Sequence, residues 1–88
     1  MNNVIQLNNP KTIEARAVIQ HIIATESFFD KKDLMDIDFD AQKHKNIMPL
    51  IQLAMCIEHK LGVVIEQQEI SEWCNGNDVI NTYIKYAK

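Results

Sequence analysis

A chain of 88 residues suits a single domain with one core. Hydrophobic residues form 47% of it, too many for an intrinsically disordered segment, while two glycines and two prolines are too few for a β architecture with many tight turns. The net charge of −3, from 9 basic and 12 acidic residues, argues against bulk electrostatic binding to nucleic acid.

Residues 1–10, Asn-rich and ending at Pro10, read as a flexible lead-in to a single helical domain over 11–88. Met1-Asn2-Asn3-Val4 lacks the basic start and apolar stretch of a secretory signal, so the expected location is cytoplasmic. No apolar run reaches the roughly 18 residues of a membrane span. A first helix is expected over 12–25, with Thr12 as its cap, Glu14 near its positive end, and Ile13, Ala17, Val18, Ile22 and Ile23 at helical spacing.

From 26 to 46 the helical period is lost. Phe28, Phe29, Leu34, Met35, Ile37 and Phe39 alternate irregularly with aspartates and lysines. This predicts a long loop pinned onto the core by its apolar members, with one short helical turn near 31–35. Asn46 then caps a second helix, and Pro49 falls in its first turn, where the missing N–H costs little. From Ile47 to Ile57 only Pro49 and Gln52 interrupt the apolar run, which predicts a central helix covered on most sides. Gly62 suits its left-handed end, and Val63-Val64-Ile65 an extended connector. A short third helix is expected over 66–74 with Ile70, Trp73 and Cys74 as its apolar stripe. Asn75-Gly76 marks a turn, and Asn77 caps a last helix whose face is Val79, Ile80, Tyr83, Ile84 and Ala87. The sum is an all-α chain, a small antiparallel four-helix bundle with a long loop between the first and second helices.

Chemistry-bearing residues are sparse. Cys56 sits in the apolar pattern and reads as a buried thiol; with Cys74 it matches no metal motif. His21, His44 and His59 are scattered. The five aspartates between Asp30 and Asp40 lack the ligand order of a calcium loop. Neither a metal site nor a catalytic set is expected: no nucleophile stands with a base, and no glycine-rich phosphate loop is present. Lys43-His44-Lys45 reads either as a solvated basic loop or as a phosphate contact at the helix start, and Ile47 and Met48 as a candidate docking patch. Trp73, on the stripe with Ile70, reads as core.

The stretch Ile51-Gln52-Leu53-Ala54-Met55-Cys56-Ile57-Glu58-His59-Lys60-Leu61-Gly62-Val63-Val64-Ile65 resembles the second helix and following turn of acyl carrier proteins. Phe39, eight residues before Ile47, matches the phenylalanine of that family's long loop. Thr12-Ile13-Glu14 resembles its start, and Val79, Tyr83 and Ile84 its last helix. The resemblance covers about residues 11–87. It implies a bundle of acyl-carrier type and 4′-phosphopantetheine on the serine of an Asp-Ser-Leu motif. Here those three positions are Asn46, Ile47 and Met48. Ile47 has no hydroxyl, so no cofactor is expected. A second register, from Ser27-Phe28-Phe29-Asp30 to the run of peptide-synthetase carriers, puts its serine near Leu34 or Met35, where no hydroxyl stands either.

The family's second helix presents acidic groups to basic enzymes. This one offers Glu58, then His59 and Lys60, with Lys43, His44 and Lys45 upstream, so the complement is weak or reversed. The expected function is a monomeric, non-enzymatic carrier-like module acting through a protein partner, a synthase or transferase among the candidates. Its partner surface is expected at Lys43, His44, Lys45, Ile47 and Met48. Two alternatives stand beside it: a working acyl or peptidyl carrier modified at an unmatched residue such as Ser71, and an unrelated small helical binding domain.

Overall fold

In the computed structural model, which describes residues 9–87, the first helix begins earlier than its periodicity suggests. Helix α1 spans Pro10–Thr25. Asn9, not Thr12, is its cap: the Asn9 side chain accepts from the Lys11 N–H at 2.8 Å, and Pro10 takes the first turn, where its lack of an N–H is harmless. The buried stripe is Ala15, Ile19 and Ile23. The helical period is therefore as expected, but its phase is turned. Ile13 is 52% exposed, and Val18 and Ile22 only flank the core.

The connection after α1 is pinned as its apolar residues suggest. Phe29, Leu34 and Ile37 are buried. Gln20 on α1 clamps it at two points. Its carboxamide oxygen accepts from the Leu34 N–H at 2.8 Å, and its NH2 donates to the Lys32 carbonyl at 2.7 Å. A 3-10 turn over Leu34–Asp36 is capped by Asp33, whose carboxylate accepts from the Met35 N–H.

A second helix, absent from the sequence expectation, follows. Helix α2 covers Phe39–Lys45, so the stretch from 26 to 46 is not a loop throughout. Asp38 caps it by accepting from the Ala41 N–H at 2.9 Å. Asp40 lies in its first turn, and Lys43, His44 and Lys45 in its last, each charge at the dipole end that favours it. Two of the clustered aspartates thus cap helical turns, and no metal-holding group of three His, Cys, Asp or Glu occurs among the described residues.

Helix α3 spans Met48–Leu61 and ends at Gly62, whose φ of 68° needs a residue without a Cβ penalty. Pro49, Leu50, Leu53, Ala54 and Ile57 face the core. The opposite side is open: Met48 is 50% and Met55 59% exposed, so α3 is not covered on most sides. Cys56 is only half-buried. Helix α4, Gln67–Ser71, is shorter than the expected span, and Cys74 is exposed rather than part of its stripe. Helix α5 covers Gly76–Tyr86. Its cap is Asn75, not Asn77. Asn75 and Asp78 form a reciprocal capping box, and the Asp78 carboxylate also accepts from the Cys74 N–H at 2.8 Å.

The described residues are all-helical, with five α-helices and one 3-10 turn. Helix α1 packs most extensively on α5, and α3 packs on α1, α2 and α4. Phe29, Phe39 and Trp73 form an edge-to-face row through the middle, with centroids 5.4 and 6.2 Å apart, so Trp73 is core as expected. Each fully buried Leu or Ile in this core contributes about 2 kcal/mol of apolar transfer free energy. No described helix is long and apolar enough to cross a membrane.

Candidate functional site

The candidate site lies where α2 hands the chain to α3. Asn46 ends α2, donating its N–H to the Gln42 carbonyl at 2.7 Å. Its side-chain oxygen accepts from the Met48 N–H at 3.1 Å, so Asn46 does serve the start of α3, although Ile47 occupies the cap position itself. The Ile47 carbonyl accepts from the N–H groups of Leu50 and Ile51. No side chain at Ile47 can cap, and its own side chain is half-buried against the core rather than open to solvent.

The basic residues divide. The Lys43 ammonium donates to the Ser71 carbonyl at 2.5 Å and lies 3.6 Å from the Asp40 carboxylate, so it ties α2 to the end of α4 and is not a free cation. His44 is exposed, and its Nδ1–H donates to the Asp40 carbonyl at 2.8 Å. That bond fixes the tautomer and leaves Nε2 free. Lys45 is exposed. Of the five expected surface residues, His44, Lys45 and Met48 present themselves to solvent, Ile47 does so in part, and Lys43 is engaged.

The surface continues along α3, on a face hidden within its apolar run. On α3, Met48, Gln52, Met55 and His59 stand at intervals of three to four residues, and all four are exposed. That spacing places them on one face. Beside this face, α1 and α3 enclose a groove of about 600 Å³ lined by Ala17, Val18, His21 and Ile22 on one side and Met55, Cys56, His59 and Lys60 on the other. The Cys56 thiol is pushed above its ordinary pKa, first by burial and second by the nearby Glu26 carboxylate. Such a thiol is protonated and poorly nucleophilic near neutral pH. Glu58, the one carboxylate on α3, is turned to internal use: it accepts from the Ile65 N–H at 2.8 Å and holds the connector after Gly62.

The hydroxyls that bear on modification are placed as follows. Ser27 is exposed in the connection. Ser71 is exposed at the end of α4 and donates back to the Gln68 carbonyl at 2.9 Å. Thr82, missed by the sequence reading, is buried and accepts from the Trp73 indole N–H. Its helical spacing from Asp78 was the available signal, since threonine hydroxyls bond back to carbonyls one turn earlier.

Compared with known proteins, the chain matches no family model, no curated protein and no solved structure.

Proposed function

We propose that this chain is a four-helix protein of acyl-carrier type without a prosthetic arm, and that it works by binding a protein partner, biosynthetic enzymes included. The order of elements supports this reading: α1, a long pinned connection, α3, a short α4 and α5. Helix α2 is then an ordered part of the long connection. Phe39, eight residues before Ile47, is fully buried, as a residue that anchors such a connection must be. Gly62 and the connector to Ile65 follow α3 at the spacing of the resemblance.

The observation that carries the functional half is Ile47. It stands at the start of α3, at the position of the attachment serine, with a branched hydrocarbon packed on the core and no hydroxyl to form a phosphodiester. A protein with this surface and no arm has its exposed side chains to act with, and those include two large apolar methionines on one helix face.

The test is mass spectrometry after incubation with coenzyme A and a promiscuous phosphopantetheinyl transferase. The native chain is expected to keep its mass. A gain of one phosphopantetheine traced to any residue, Ser71 included, overturns the absence of an arm. The Ile47→Ser chain is expected to gain the group. If that variant is folded by circular dichroism yet stays unmodified, the carrier register is wrong.

A further inference from the structure

Asn75 is the only asparagine of the chain that precedes a glycine. Glycine has no side chain to crowd the approach of its own nitrogen to the neighbouring carboxamide, and that approach is how an asparagine loses ammonia. Both reacting groups are accessible here. Asn75 is exposed, and its side chain is engaged through the carbonyl oxygen alone, which accepts from the Asp78 N–H at 3.2 Å. Its NH2, the group that would leave, bonds to no described residue. Gly76 opens α5, ahead of the turn in which intrahelical N–H bonds begin, and its N–H donates to no described residue either. Conformation keeps the two groups apart. A five-membered ring needs the Asn75 Cβ and the Gly76 nitrogen close to eclipsed about the Cα–C bond, whereas the Asn75 ψ of 176° holds them staggered. The capping box keeps ψ there: the Asp78 carboxylate accepts from the Asn75 N–H at 3.2 Å and from the Cys74 N–H at 2.8 Å.

We infer that Asn75 is a self-modification site, at which opening of the α5 capping box lets the chain deamidate itself. In the opened turn the Gly76 nitrogen gives its proton to solvent base and attacks the Asn75 Cγ. The new N–C bond closes a succinimide. The bond from Cγ to the side-chain nitrogen breaks, and that nitrogen takes a proton and leaves as ammonia. Water then adds to one of the two ring carbonyls and breaks its bond to the ring nitrogen. Opening at one carbonyl gives aspartate, and opening at the other gives isoaspartate. Either product makes the chain, of net charge −3, one unit more negative. The two products act differently on the fold. Aspartate still caps a helix and suits its positive end, although its carboxylate then stands beside that of Asp78. Isoaspartate inserts a methylene into the main chain immediately before Gly76, where even an added Cβ would stand 3.0 Å from the side chain and carbonyl oxygen of Leu34. It therefore unseats the start of α5 from the 3-10 turn. None of this depends on the carrier reading.

The experiment incubates the full chain at neutral pH for several weeks, with and without denaturing urea, and follows each asparagine by tandem mass spectrometry of proteolytic peptides. Replacement of NH2 by OH is expected at Asn75 ahead of every other asparagine, with isoaspartate identified by isoaspartyl methyltransferase labelling. The folded chain should react about tenfold more slowly than the unfolded one, because only the opened turn can close the ring. Asp78→Ala removes half of the box and should speed the folded-state reaction about fivefold. Asn75→Ser keeps a capping hydroxyl and should abolish the signal. A thermal melt shows whether Asp78→Ala folds; if it does not, urea below the unfolding transition should raise the rate of the native chain instead. Conversion that is absent from the folded chain while the unfolded chain reacts, or that falls first on another asparagine, overturns the site. A folded rate equal to the unfolded one, or one unmoved by both Asp78→Ala and sub-denaturing urea, overturns the gating by the capping box.

Discussion

The Trp73 indole N–H donates to the Thr82 hydroxyl at 2.9 Å inside the core, and that hydroxyl in turn donates to the Asp78 carbonyl at 3.1 Å. One small side chain on α5 therefore satisfies the polar atom of the largest fully buried side chain. Thr82→Val keeps the shape and removes the acceptor, leaving a buried N–H unpaired. The expected cost is about 1–3 kcal/mol by urea denaturation, with Thr82→Ser closer to native.

Gly76 makes a different demand. A Cβ there would stand 3.0 Å from both the side chain and the carbonyl oxygen of Leu34, and 3.0 Å from the Met35 sulfur. The close approach seats the start of α5 on the 3-10 turn. Gly76→Ala is expected to cost about 1–3 kcal/mol through overpacking. Gly62→Ala meets no neighbour and carries only the strain of a positive φ, on the order of 1 kcal/mol. Parallel denaturation of the two variants measures the difference.

Ile47→Ser, the variant that tests the carrier reading, should be folded but slightly weaker. It loses the half-buried packing of a branched side chain, about 1 kcal/mol. It also gains a hydroxyl at a cap position that now has no side-chain acceptor, which offsets part of that loss. The melting temperature should fall by a few degrees at most, about 4–8 °C per kcal/mol in a domain of this size.

Alkaline pH should destabilise the fold. Burial, aided by Glu26, raises the Cys56 pKa above its ordinary 9.0, and burial, aided by Glu14, raises that of Tyr83 above 10.0. In both cases the folded state holds the proton more tightly than the unfolded chain. Each contribution is complete below the ordinary value and is lost as pH rises through the raised one. Stability should therefore decline from about pH 9 upward. The decline should be shallower in the Cys56→Ala/Tyr83→Phe chain, as urea midpoints between pH 7 and 11 will show.

Much of this architecture was legible in the residues. The period of α1, the Gly62 stop and the apolar face of α5 all follow from spacing and backbone preference. Helix α2 was hidden because Phe39 is its one buried residue, and a seven-residue helix with one anchor has no period to read. Its signature was electrostatic instead: Asp38 and Asp40 ahead of Lys43, His44 and Lys45. The caps at Asn9 and Asn75 were displaced because Thr12 and Asn77, equally capable side chains, lie close by, and only the backbone decides among them. The site was half legible. Ile47 follows from alignment, but Met55 lies inside a nearly unbroken apolar run, where composition gives no clue to which face stays uncovered.

The row of rings from Phe29 through Phe39 to Trp73 joins the connection, α2 and the segment after α4 at the centre of the molecule. The chain's single tryptophan is thus wired to its least regular stretch. Phe39 carries any loosening of Phe29 to the indole, so native emission doubles as a built-in gauge of whether that stretch is seated.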